Sequence, residues 1–91
     1  MNDKVFIICI ELNNIKAIEK FEHLLSSMGI WINITLNTYA IKQDSSVTSN
    51  NLKMTILNEL SKDCRVFVMK TSIDASWNLP ANIDGWVKSY I

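Results

Sequence analysis

Ninety-one residues suffice for one domain with a modest core, and a composition of 48% apolar and 20% charged residues is that of a folded chain. Nine basic residues, one of them arginine, cancel nine acidic ones; nucleic acid stays open as a partner but charge does not support it, since nucleic-acid binders usually carry a basic excess to displace counterions from phosphates. No apolar run approaches the roughly eighteen residues of a bilayer span, and the N-terminus lacks the basic segment and cleavage signal of a leader, so a cytoplasmic chain with no membrane role is expected.

In chain order, Val5-Phe6-Ile7-Ile8-Cys9-Ile10 is an apolar run of strand length that ends at Glu11-Leu12. A strand apolar on both sides belongs inside a sheet covered on both faces. Asn13 or Asn14 then supplies a helix cap, and Ile15, Ile18, Phe21, Leu24, Leu25 and Met28 recur at helical spacing. Gly29 follows, at the point where a left-handed residue typically closes a helix, so the spacing predicts a helix over 14–28. From Ile30 the period changes to two, with Ile30, Ile32, Ile34 and Leu36 on one face of a strand and Trp31, Asn33 and Thr35 on the other. A turn or bulge at Asn37-Thr38 leads to a shorter strand at Tyr39-Ala40-Ile41-Lys42, and the two make a hairpin. The polar stretch 43–49 offers caps for a second helix over about 50–61, marked by Leu52, Ile56, Leu57 and Leu60. Cys64-Arg65-Val66-Phe67-Val68-Met69-Lys70 is rich in the types that favour sheets. Residues 72–75 read as a polar turn, and Ile83, Trp86, Val87 and Tyr90 fit a short terminal helix after Pro80.

The order strand, helix, strand, strand, helix, strand is that of an α+β, ferredoxin-like βαββαβ domain spanning 1–91. Its expected form is a four-stranded antiparallel sheet with two helices on one face and the short C-terminal helix added. The first strand is central, and its second apolar face needs a cover from the tail, from another copy of the chain, or from both.

The segments Val5–Leu12, Met28-Gly29-Ile30-Trp31, Thr38-Tyr39-Ala40-Ile41, Lys62–Val68, Ala75-Ser76-Trp77 and Gly85-Trp86-Val87-Lys88 together resemble the Cas-two-like superfamily of small dimeric ferredoxin-like proteins. Within it they are most similar to the small bacterial proteins labelled SinR family. The resemblance implies a homodimer acting as a binding or scaffold module, associated with nucleic-acid processing or defence. In catalytic members an aspartate ends the first strand, and two copies across the dimer hold a divalent metal for phosphodiester hydrolysis. The matching residue here is Glu11, one methylene longer, so the resemblance implies fold and dimer better than chemistry.

Glu11 is accordingly the candidate catalytic residue and metal ligand, with magnesium or manganese as the ion if the chain is an enzyme; one carboxylate is too few, so a second Glu11 across the dimer or another acid such as Asp74 would have to join it. Its alternative is a solvated strand-end carboxylate, or one paired with Lys42 or Arg65. The candidate dimer or partner face comprises Val5, Ile7, Cys9, Val66, Val68, Trp77 and Trp86. Trp31, Trp77 and Trp86 read as packing anchors before base-stacking platforms. His23 reads as a helix-surface or boundary residue before a general base. Cys9 and Cys64 read as buried reduced thiols, too few with one histidine to close a zinc site. The leading expectation is a scaffold without required catalysis. The alternatives are a metal-dependent endonuclease using paired Glu11 residues, and a phage or mobile-element inhibitor that docks on a bacterial defence complex.

Overall fold

The apolar run near the N-terminus folds as β1 (Asp3–Ile10), an inner strand of the sheet, in a computed structural model that describes residues 3–71 and 74–91. It is followed by α1 (Ile15–Met28), β2 (Trp31–Thr35), β3 (Thr38–Asp44), α2 (Ser49–Glu59), β4 (Val66–Lys70) and α3 (Ala81–Tyr90). The strands lie in the order β2-β3-β1-β4, and every neighbouring pair is antiparallel. This is the ferredoxin-like arrangement, with α3 added. The turn expected at 72–75 falls partly outside the described residues.

Local chemistry sets the element ends. The Asn14 side chain accepts from the Ala17 amide at 2.9 Å, and Thr48 accepts from the Asn51 amide at 3.1 Å, each satisfying an otherwise orphan donor. Gly29 ends α1, but its φ of 169° is extended and not left-handed. Glycine is needed there for a different reason: a Cβ would sit 2.7 Å from the Lys42 carbonyl oxygen, where the chain passes β3. The hairpin turns at Leu36-Asn37, one residue earlier than the spacing suggests. β3 runs on through Gln43 and Asp44 because its pairing with β1 continues there despite the polar side chains.

One face of the sheet carries the main core. Phe6, Ile8 and Ile10 of β1 and Tyr39 and Ile41 of β3 meet Phe21 and Leu25 of α1 and Leu52 and Ile56 of α2, all essentially excluded from water. Each such side chain contributes about 1.5–3 kcal/mol on burial. Phe21 meets Tyr39 edge-on, with ring centroids 4.9 Å apart and planes at 80°, the arrangement that suits the ring quadrupoles.

The other face is covered only in part. α3 packs beside β2, burying Val87, and Val5 and Ala40 are buried on this side. Lys42 stands over the Tyr90 ring at 5.2 Å. The Trp77 indole donates to Asp84 at 2.8 Å, and Asp84 also pairs with Lys88 at 3.2 Å, so the segment before α3 is clipped to the helix. That cover reaches Met69 near one end of β4 and leaves Phe67 and Cys9 open. No helix among the described residues is long and apolar enough to cross a membrane.

Candidate functional site

β1 pairs with β4 in the register Ile10↔Val66, Cys9↔Phe67, Ile8↔Val68, Ile7↔Met69. Since Ile8 and Ile10 point into the helix-covered core, their partners point there too, and Val66 and Val68 pack against it. These two valines, expected on the open face, therefore lie on the opposite side. The open face instead receives Phe67 and Met69, 61% and 47% exposed, beside Cys9, which is also exposed. Ile7 is half-buried on the same face and lines a cavity of about 280 Å³ with Met69, Trp77, Leu79 and Val87. Of the residues expected on this face, Val5 is sealed, Ile7 is partly covered and Cys9 is open. Trp77 belongs to the cover, clipped to α3 by its bond to Asp84, whereas Trp86 makes a tilted ring contact with Tyr90 within α3 at 4.8 Å.

Glu11 lies one residue beyond β1, where its amide still bonds the Arg65 carbonyl at 3.1 Å. Its carboxylate is 3.9 Å from the Arg65 guanidinium, and both side chains are largely exposed at 63% and 83%. Of the two pairings expected for a non-catalytic Glu11, the one with Arg65 is formed. Shallow depressions of about 320 Å³ flank the residue on either side, one toward Asn13, Lys16, Lys20 and Cys64, the other toward Cys9, Asn37 and Phe67. A hard divalent ion takes six or more oxygens, several of them anionic. Among the described residues no cluster of three or more His, Cys, Asp or Glu side chains has the spacing of a metal site. A single carboxylate facing a guanidinium does not fit magnesium or manganese within one chain.

The cysteines are unbridged. Cys64 is half-buried, and its thiol approaches the Glu11 carbonyl oxygen at 3.6 Å. Burial first, and then the nearby Glu11 charge, push its pKa up, the reverse of what activates a thiol nucleophile. Cys9, expected to be buried, is open because the α3 cover does not reach the end of β1. His23 is exposed on α1, away from any acid-and-nucleophile arrangement among the described residues. Trp31 is half-buried, donating to Ser26 at 2.9 Å and lying 6.0 Å from the Tyr39 ring, so it anchors α1 to β2. Sequence reasoning missed Phe67 and Met69; the signal for them was the alternation of β4, readable once its pairing with β1 was known.

The chain matches no family model, no curated protein and no solved structure.

Proposed function

We propose that this chain is a small self-associating binding module, a scaffold of the Cas-two-like type without required catalysis, serving a nucleic-acid-processing or defence assembly. One observation carries the reading: Phe67 and Met69 lie exposed beside Cys9 on a sheet face that α3 covers only in part. Contiguous apolar surface of this kind on a small domain marks an interaction site. The fold and the resemblance of its segments support a second copy as the partner. The Glu11–Arg65 pair supports surface recognition over hydrolysis, because a carboxylate already answering a guanidinium is poorly placed to bind a cation.

Sedimentation velocity over the micromolar range tests the association. The expected species has twice the chain mass of 10.4 kDa. A single-chain mass at every concentration overturns the self-association. Magnesium-dependent cleavage of nucleic acid that disappears in Glu11→Ala overturns the non-catalytic half of the reading.

A further inference from the structure

The two edges of the sheet are built differently. At the β2 edge, pairing with β3 slips between Asn33 and Thr35, and the Asn33 amide donates to the carbonyls of Thr35 and Thr38 at 2.7 and 3.0 Å. Such irregularity is how proteins blunt an edge against further pairing. The β4 edge has none of it. Its five residues pair with β1 in unbroken register, contain no proline and carry one charge, on Lys70.

The ladder also fixes which backbone groups are available. Glu11 donates to the Arg65 carbonyl and Thr71 donates to the Val5 carbonyl. In an antiparallel pair the bonded positions alternate, so Phe67 and Met69 turn their amides and carbonyls toward β1. Those of Val66, Val68 and Lys70 face outward, and no strand lies beyond them among the described residues.

From this geometry we infer that β4 pairs antiparallel with β4 of a second copy, with the two-fold axis at Val68, joining the two sheets into one. The inference rests on the self-association proposed above and names its contact. In this register Val66 faces Lys70 of the second copy and Val68 faces its equivalent, and these outward-facing residues exchange about six backbone hydrogen bonds. Phe67 falls opposite Met69 of the second copy, and Met69 opposite Phe67, at positions where side chains approach most closely. The two exposed apolar residues of β4 are thus complementary to each other across the axis, and methionine sulfur against an aromatic ring is a favourable contact. Sliding the register by two residues leaves part of β4 unpaired, and sliding it by one sets inward-facing groups against outward-facing ones. A five-residue ladder about 17 Å long is a small contact beside the ~800 Å² per partner of stable complexes, so a weak, concentration-dependent dimer is expected.

Two double variants at these exposed positions test the register. Phe67→Lys with Met69→Glu places opposite charges across the axis; Phe67→Glu with Met69→Glu places like charges there. Both remove the same apolar surface. Sedimentation equilibrium of each against wild type, at low salt, is expected to give a dimer for the Lys/Glu protein and about tenfold or weaker association for the Glu/Glu protein. If wild type is a dimer and both variants are equally monomeric, the copies meet through the apolar face and the edge register is wrong, while the self-association stands. If both variants remain equally dimeric, the contact lies elsewhere and the register is again wrong. A monomeric wild type removes both readings.

Discussion

Replacing Tyr39 with phenylalanine should reverse its effect on stability as the pH rises. The ring is 3% exposed and packs edge-on against Phe21, and phenylalanine keeps all of that. What is lost is a hydroxyl that donates to Glu22 at 3.2 Å. At neutral pH the phenol is protonated in the folded and unfolded chains alike, so the loss is one hydrogen bond, about 1 kcal/mol. At high pH a second effect acts. Burial, the negative charge of Glu22 and the hydrogen bond to it raise the Tyr39 pKa from 10.0 to about 12. Between those values the unfolded chain releases the phenolic proton and the folded chain holds it. The folded state then binds more protons, so stability falls as pH rises through this window. Two pKa units correspond to about 2.7 kcal/mol, which screening of the half-exposed Glu22 reduces to roughly 1–2 kcal/mol. Phenylalanine escapes this loss. Guanidinium unfolding followed by tryptophan fluorescence should therefore put wild type ahead by about 1 kcal/mol near pH 8 and level or behind near pH 11.5. An unchanged gap at the two pH values would refute the argument that the buried phenol resists ionisation.

Three further outcomes follow from particular contacts. Gly29→Ala forces a Cβ to within 2.7 Å of the Lys42 carbonyl oxygen and should cost about 1–3 kcal/mol in denaturant unfolding, with no change in far-ultraviolet helix signal. Glu11→Gln in a Cys9→Ser background should change stability by less than about 0.5 kcal/mol, since the ion pair is exposed and long. It should also lower the Cys64 pKa, read as faster alkylation at mildly alkaline pH, because one of the two causes holding it up is removed. Trp77→Phe deletes the bond to Asp84, and hydrogen exchange should quicken in α3 while β1 and β3 keep their protection; uniform loss across the sheet would count against a local clip.

The β-α-β-β-α-β order and both main helices were legible because their signals are redundant: periodicity, caps and terminators agree for α1 and nearly so for α2. β1 was legible as an inner strand because no other strand is apolar on both faces for so long. The phase of β4 was hidden for a related reason. Val66-Phe67-Val68-Met69 is apolar at every position, so its own pattern does not say which pair faces the helices; only the hydrogen-bond register with Ile8 and Ile10 decides it. Cys9 was misjudged because its exposure depends on how far α3 extends across the sheet, a tertiary fact with no local signature. Glu11 was placed correctly at the end of the run, and its partner Arg65 was one of two cations within reach of a strand-end carboxylate.

The unequal edges have a consequence for stoichiometry. A sheet that is open on both sides can add copies without limit, and the product is a filament. Here the slip at Asn33 closes one side, leaving a single valence at β4. Under the β4–β4 pairing inferred above, each of the two chains would have spent it, and growth would stop with a discrete particle whose outer edges are both the guarded ones. The same asymmetry makes Asn33 a residue to watch in variants: straightening that edge would give the chain a second valence and turn a self-limiting pair into a polymer.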